Sequence, residues 1–341
     1  MRVTIKDVAL ATGVFPSTVS TVLNNKKHSR ISAEKRDYIR KAAEEMGYRP
    51  NRQASCLRNK KKPAIGVFLP KWQTILTLQI IQGLTVKANE LDLPLSFYFG
   101  LNSTHYTEFI DSMTNGRNSG IISYVPVYCA DRDISLGKIK EYLDAEGRVI
   151  ALNPSQISLP ASSSIEMDEE HGGRLAAEYL ARQECKSFAV IVYENPLHIQ
   201  RQRAFQQALS DAGDNITVFA SKGNEQSNRE QEPRLSEFLR HCAKPCGLFL
   251  TSSSFTLNVL AAVWKSRFTI GQEIRIIGYD YSATNLNVPY FPEIVQPFYE
   301  MGRLAIEDMD RLLRGEVAIS RRLLPDIRYP DQLLKPKEGS I

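Results

Sequence analysis

Val3-Thr4-Ile5-Lys6-Asp7-Val8-Ala9-Leu10-Ala11-Thr12-Gly13-Val14-Phe15-Pro16-Ser17-Thr18-Val19-Ser20-Thr21-Val22-Leu23-Asn24 reads as two short helices joined at a glycine. Thr4 is a helix-capping residue type, and Asp7, three positions on, is a short version of the acid in a capping box. Ile5, Val8, Ala9 and Thr12 then recur at helical spacing. Gly13 ends that helix and Val14-Phe15 turns the chain. Pro16 suits the first turn of the next helix, where its missing N–H is not needed. Val19, Val22 and Leu23 face inward there, which leaves Ser17, Thr18, Ser20, Thr21 and Asn24 outside. An ordinary solvated helix carries Lys and Glu on such a face. Small hydroxyl and amide side chains instead approach a groove closely and hydrogen-bond to base edges or phosphates. Two short helices joined by a tight glycine turn make a helix-turn-helix, whose second helix enters the major groove of duplex DNA.

The neighbouring sequence fits that reading. Ser32 caps a longer amphipathic helix over 33–46, with Ile39, Ala42, Ala43 and Met46 as its apolar stripe and Gly47 at its end. Lys26, Lys27, His28, Arg30 and Lys35 lie around the preceding loop, in reach of phosphates. Beyond Tyr48, Pro50 blocks continuation of the helix. The segment to Arg58 is short and basic, with Leu57 as its one prominent apolar residue. A helix this short is marginal alone. It forms if something packs against it, as when a leucine wedge opens a minor groove; otherwise it is a basic linker. Residues 1–62 hold 15 Lys and Arg against 5 Asp and Glu, whereas the remainder holds 28 against 33, within a chain of net charge +5. A basic head on an acidic body is the footprint of a polyanion-binding module.

Val3 to Ala9, Gly13-Val14, Thr18-Val19-Ser20, Val22-Leu23-Asn24 and Gly47-Tyr48-Arg49-Pro50-Asn51 together resemble the signature of the LacI/GalR regulators, contiguously over about 58 residues. The resemblance implies that Pro16, Ser17 and Thr21 stand where the family reads bases. It places Asn51, Ala54 and Leu57 on a hinge helix, with Leu57 as the wedge. Two departures stand out. Phe15 replaces the usual capping Ser, and Thr21 replaces a frequent Arg, so bidentate guanine readout is lost there.

From Ala64 onward, apolar runs alternate with helical stretches. The first series has strands at Ala64–Pro70, Leu95–Phe99, Gly120–Tyr124 and Val149–Leu152. Its helices fall over 78–91, 107–116 and 135–146. A second series starts near Asp168. Helices over 170–182, 200–212, 231–242 and 255–266 alternate with strands at Ser187–Val192, Ile216–Phe219, Gly247–Leu250 and Arg275–Ile277. Such alternation implies parallel sheets with crossover helices. Two series imply two lobes, with a ligand cleft at the carboxyl ends of the strands. The family likeness continues at lower identity through Gly172-Gly173-Arg174-Leu175-Ala176, Arg201, Ala204-Phe205, Gly278-Tyr279-Asp280 and Val295-Gln296-Pro297. It implies a two-lobed fold like that of periplasmic sugar-binding proteins, crossed three times by the chain. Positions matching effector contacts are Arg201, Asp280, Asn153, Tyr124 and Phe298, with Trp72 near the mouth. Taken singly, each also reads as a salt-bridge or core residue. Thr251-Ser252-Ser253-Ser254 replaces the family's Asn-Asp pair, with Ser252 still able to bond a ligand. Tyr281 and the stretch after Trp72 depart as well, which implies a remodelled pocket.

The expected architecture is an all-α helix-turn-helix head over 1–49, a hinge over 50–62 and a two-lobed α/β effector-binding domain over 63–341. The first lobe comprises about 63–164 and 296–325, and the second about 165–295 and 326–341. The expected DNA contacts are Thr4, Pro16, Ser17, Thr18, Ser20, Thr21, Asn24, Arg30, Ser32, Asn51, Ala54 and Leu57. The expected effector contacts are Trp72, Tyr124, Asn153, Arg201, Ser252, Asp280 and Phe298. The expected partners are double-stranded operator DNA, a second copy of the chain and a small-molecule effector such as a sugar, with no cofactor and no metal. No signal peptide or apolar membrane span is visible, which places the chain in the cytoplasm. Cys56, Cys129, Cys185, Cys242 and Cys246 are odd in number and scattered, as free thiols are. The tail has no leucine heptads, so a dimer is expected. Two alternatives stand beside a repressor: a DNA-binding regulator with a silent pocket or a non-sugar ligand, and an enzyme with a basic appendage. Against the enzyme, no P-loop, dinucleotide fingerprint, HExxH or GxSxG is present.

Overall fold

The structure, a computed structural model, describes residues 3–23, 31–46, 48, 64–71, 75–100, 102–115, 118–124, 132–154, 160–210, 216–223, 225–280 and 291–330. It divides into a head, Met1–Pro63, and a body, Ala64–Ile341. The hinge segment over 50–62 falls outside the described residues, as do Asn24, Arg30, Gly47 and Trp72.

The head holds α1 (Ile5–Thr12), α2 (Pro16–Leu23) and α3 (Ala33–Glu45). Gly13 has φ +66°, a left-handed turn that glycine adopts without a Cβ penalty, and the chain reverses there into α2. Val8, Ala9, Val19, Val22, Ile39 and Ala43, two from each helix, are all buried in one small core.

Among the described residues, the body forms two six-stranded sheets. The first is assembled from β1 (Ala64–Pro70), β2 (Leu95–Gly100), β3 (Asn118–Tyr124), β4 (Val149–Leu152), β5 (Ser163–Met167) and β11 (Arg321–Leu323), in the order β11-β5-β4-β3-β1-β2. The second is assembled from β6 (Ser187–Tyr193), β7 (Ile216–Ser221), β8 (Cys246–Leu250), β9 (Ile274–Tyr279), β10 (Glu293–Val295) and β12 (Asp326–Arg328), in the order β12-β10-β9-β8-β6-β7. Helices α4 (Ile75–Glu90), α5 (Ser103–Asn115), α6 (Arg132–Asp144) and α11 (Phe298–Leu313) cover the first sheet. Helices α7 (Glu169–Ala181), α8 (Pro196–Ala208), α9 (Glu225–His241) and α10 (Thr256–Lys265) cover the second.

The period-2 geometry of a strand explains the layering. Ile65, Val67 and Leu69 of β1 bury against Ile80 and Leu84 of α4 and Met301 and Ala305 of α11. Phe68, on the other face, buries among Tyr106, Phe109 and Ile139 of α5 and α6. Helices α4 and α11 touch backbone to backbone. A Cβ added at Gly302 would run into the Ile80 carbonyl, and one at Gly83 into the Tyr299 carbonyl. Gly302→Val therefore forces two helices apart in a filled core and is expected to cost about 1–3 kcal/mol. Urea unfolding of the whole chain reads this as a lower midpoint with an unchanged slope.

The chain passes between lobes three times: from β5 into α7, from β10 into α11, and from β11 into β12. Sequence periodicity leaves out β5, β10, β11 and β12. Three of these are three residues long, and β5 is the polar Ser-Ser-Ile-Glu-Met. β5 carries the first lobe through Met167, three residues beyond its expected end at about 164. β5, β10 and β11 all run toward a crossing, so the carboxyl edge of each sheet faces the other lobe. β12 leaves the third crossing in the opposite direction, so it pairs antiparallel with β10, and the second sheet is mixed, not purely parallel. Helix α8 starts at Pro196 instead of 200, because Asn195 accepts a hydrogen bond from the His198 N–H as N-cap and Pro196 fills the first turn. That shift sets Arg201 in the second turn of α8, at the cleft edge.

Candidate nucleic-acid interface and effector cleft

In the head, the buried Val19 and Val22 fix which way α2 turns. Pro16 and Ser17 are exposed, while Thr18, Ser20 and Thr21 are half-buried. Thr21 Oγ1 donates to the Ser17 carbonyl one turn back, at 2.8 Å. Its lone pairs remain as acceptors, and this one-turn pair forms a small, uncharged edge. Two expected DNA contacts also have work inside the fold. The Thr4 N–H and hydroxyl both donate to Asp7 Oδ2 at 2.7 Å, the hydroxyl and backbone bonds together holding the Asp7 carboxyl below its usual range. Ser32 Oγ accepts from the Lys35 N–H and caps α3. Phe15 supplies its carbonyl, not a side-chain cap, to the first turn of α2, and its ring is 79% exposed.

In the body, Asn153 and Asp280 occupy equivalent places. Asn153 follows β4, and its N–H donates to the Ile165 carbonyl while its Oδ1 accepts from the Met167 N–H at 2.8 Å. Asp280 follows β9, and its N–H donates to the Ile294 carbonyl while its Oδ1 accepts from the Gln296 N–H at 3.0 Å. Both have left-handed backbones, φ +46° and +47°, a conformation that Asn and Asp tolerate better than most residues. Each lobe thus ends the strand before a crossing strand with the same clamp. Asn153 Nδ2 also reaches the Tyr124 hydroxyl, at 3.4 Å.

Arg201 and Asp280 come together through a residue that the sequence reading quoted but did not assign to the site. Arg201 is buried, and its Nε donates to Glu169 Oε2 at 2.6 Å, its Nη1 to the Thr251 carbonyl at 2.6 Å and its Nη2 to Gln296 Oε1 at 3.0 Å. The guanidinium also stacks on the Tyr279 ring, 3.8 Å from its centroid. Gln296 Nε2 then donates to Asp280 Oδ2 at 2.6 Å. Burial opposes charge on Arg201, but its acidic neighbours, Glu169 first and Asp280 after it, together with Tyr279, more than restore it. Burial raises Asp280 to about 7 against the hydrogen bonds from Gln296. Gln296 lies on the second crossing, so the network Glu169–Arg201–Gln296–Asp280 pins the lobe junction from the second lobe's carboxyl edge. Gly173 belongs to the same packing, since a Cβ there would meet the Arg201 carbonyl.

The remaining expected contacts separate by environment. Ser252 is at the rim, with Oγ 2.9 Å from Ser254 Oγ. Tyr124 is half-buried against the first-lobe core. Phe298 packs into that core with Met301 and Ile306 at the start of α11, so its ring also stabilises the lobe. Glu169 has no sequence signal as a site residue, and Thr251, Tyr279 and Gln296 only neighbour residues that the family likeness points to, because four segments distant in sequence assemble around Arg201. Among the described residues no group of His, Cys, Asp and Glu is arranged to hold a metal ion, and no helix is long and apolar enough to cross a membrane. Cys185, Cys242 and Cys246 are free thiols.

Residues 4–51 match the family described as bacterial regulatory proteins, lacI family, and residues 177–329 match the periplasmic binding protein-like domain. The HTH-type transcriptional regulator MalR of Streptococcus pneumoniae is 25% identical over 324 residues, covering 92% of this chain and 93% of that protein. A transcriptional regulator CelR–cellobiose complex has the same fold, with TM-score 0.65 and 18% identity over 97% of this chain and 100% of that one. So does the lac repressor dimer bound to operator and an anti-inducer, with TM-score 0.63 and 21% identity over 98% and 100%.

Proposed function

From the premise that this chain is a LacI/GalR-type regulator, a lacI-family helix-turn-helix head on a periplasmic-binding-protein-like body, we propose that it is a cytoplasmic repressor that binds operator DNA as a homodimer and responds to a sugar held between its lobes. The observation that carries this reading is the small, uncharged edge of α2 formed by the exposed Ser17 and the half-buried Thr21, in the same chain as two sheets whose carboxyl edges face each other. Two heads related by a two-fold axis read a near-palindrome. Ser17 and Thr21 contact base edges, Pro16, Thr18 and Ser20 fit the groove wall, and Asn24 and Arg30 reach phosphates. Asn51, Ala54 and Leu57 supply the hinge, with Leu57 as minor-groove wedge. Effector binding changes the relation of the lobes, and the hinge passes that change to the DNA-binding surface as a coupling free energy. The relatives' names support this assignment: they are regulators and repressors, one bound to cellobiose and one to operator.

The test is selection of duplexes from a random library by the full-length chain. A near-palindromic consensus is expected, with affinity falling steeply as salt rises. Leu57→Ala is expected to weaken consensus binding by about tenfold or more while leaving the unfolding midpoint of the body in place. Equal affinity for all duplexes would overturn the reading, and an unchanged Leu57→Ala affinity would remove the wedge. A second reading, a DNA-binding protein with a silent pocket, draws on the protein partners that already engage both Arg201 and Asp280. A rise in unfolding temperature with a bound sugar excludes it.

A further inference from the structure

We propose that His198 is a specificity-determining residue of the cleft: its Nε2 accepts a hydrogen bond from a ligand hydroxyl, and the site therefore selects uncharged, polyhydroxylated molecules over their phosphates. This rests on the reading of the cleft as an effector site.

The argument starts from one proton. Thr251 Oγ1 lies 3.0 Å from the Ile191 carbonyl oxygen and 2.9 Å from His198 Nδ1. The carbonyl has no proton to give, so the Thr251 hydroxyl donates to it. Were that proton turned to His198 instead, two oxygen lone pairs would face each other at 3.0 Å. His198 Nδ1 must then carry the hydrogen and donate to Thr251 Oγ1. A neutral imidazole protonated at Nδ1 has a bare lone pair at Nε2. That nitrogen has no hydrogen-bond partner among the described residues. The ring is half-buried in the first turn of α8, one turn before Arg201. Burial and the nearby Arg201 charge push its pKa well down, which keeps it neutral.

The surroundings favour a neutral ligand as well. Tyr193 Oη lies 2.8 Å from Ser254 Oγ, which lies 2.9 Å from Ser252 Oγ. Three hydroxyls making two contacts keep one proton to offer and several lone pairs, the complement of a sugar edge. The half-buried Tyr193 ring stands edge-on to His198, 5.4 Å between centroids, and is backed by the buried Phe255 ring tilted against it at 4.2 Å, so it adds an apolar surface beside the imidazole. The Arg201 charge is answered by Glu169 at 2.6 Å. An anionic oxygen set against the Nε2 lone pair would be repelled, whereas a hydroxyl donates to it. Lys222, exposed one residue beyond Ser221, the partner of Tyr193 across β6 and β7, is the cation that a phosphate would use instead.

The experiment titrates the full-length chain calorimetrically with ribose, ribitol, cellobiose and maltose, and with ribose 5-phosphate and glucose 6-phosphate. Nitrogen-15 NMR of labelled histidines follows the His198 tautomer. A neutral compound is expected to bind, and to bind about tenfold to a hundredfold more weakly to His198→Phe, which keeps a ring without the acceptor. His198→Gln, which returns a carbonyl oxygen near Nε2, recovers part of that loss. The NMR signature expected at pH 7 is a neutral ring protonated at Nδ1. Tighter binding of a phosphate, abolished by Lys222→Gln, overturns the inference and leaves the effector reading standing. An Nε2–H tautomer or an imidazolium also overturns it. If no compound of either class raises heat or stability, the effector reading fails for sugars and the inference falls with it.

Discussion

Arg201→Ala is expected to destabilise the body by about 3–5 kcal/mol, the cost of leaving the partner of a buried ion pair uncompensated. The side chains of Arg201 and Glu169 are 5% and 1% exposed. Glu169 Oε1 has no hydrogen-bond partner among the described residues and Oε2 is held by Arg201, so removing the guanidinium strands the carboxylate. The Thr251 carbonyl and Gln296 Oε1 lose donors in the same step, and the Tyr279 ring loses its stacked cation. The measurement is chemical unfolding at equilibrium, and the control separates charge from shape. Glu169→Gln combined with Arg201→Met fills similar volume without charge, and is expected to recover much of the loss. If Arg201→Ala shifts the midpoint no more than a surface substitution does, the pair is not the keystone of the junction. The same substitution abolishes ligand-induced stabilisation, because Gln296 and Thr251 lose the group that positions them.

The head was legible in sequence because its signals are local. A glycine turn, a proline in a first turn and a two-helix apolar stripe each act within four residues, and the observed bounds of α1, α2 and α3 agree with them to one residue. The alternation of strands and helices in the body was legible for the same reason. The crossings were not. Three-residue strands such as β10, β11 and β12 have no period to detect, and their pairing is decided by partners outside any local window, Glu293 with Gly278 and Arg328, and Arg321 with Ile165. At the cleft, family likeness points to Arg201 and Asp280 as expected contacts, but their bonding within the protein was hidden. Asp280 read as a ligand group, yet its carboxyl and backbone first serve a strand clamp that Asn153 duplicates in the other lobe. Phe298, which family likeness puts at the cleft, also has a core role at the head of α11 that likeness does not reveal.

Asp280 should make stability fall with rising pH, and Asp280→Asn should remove that dependence. The carboxyl is held at about 7 in the folded chain, above the 3.8 of a free aspartate. Between those values the folded state binds more protons than the unfolded one, so unfolding releases them and stability declines as pH rises. The contribution is complete below about pH 4 and lost as the pH passes about 7. A shift of this size corresponds to a few kcal/mol. The groups around Asp280 make the sign informative. Gln296 offers two N–H donors, which favour the carboxylate, and Arg201 favours it too, while Glu293 on β10 opposes it and burial dominates. His198 acts the other way: with its pKa pushed down, it contributes stability above about 6.5 that is lost as pH falls. The wild-type profile therefore mixes two opposed slopes, and the informative quantity is the difference from Asp280→Asn at each pH. In the variant, Oδ1 still accepts from the Gln296 N–H, so the strand clamp survives, but the amide that replaces Oδ2 now meets the Gln296 amide. If Gln296 turns to accommodate it, Nε2 faces Arg201 Nη2, donor against donor. The variant is thus expected to be less stable than wild type at pH 5 and to approach or overtake it by pH 8. A constant offset from pH 4 to 8 would mean that Asp280 is ionised throughout, and that Gln296 and Arg201, not burial, set its state.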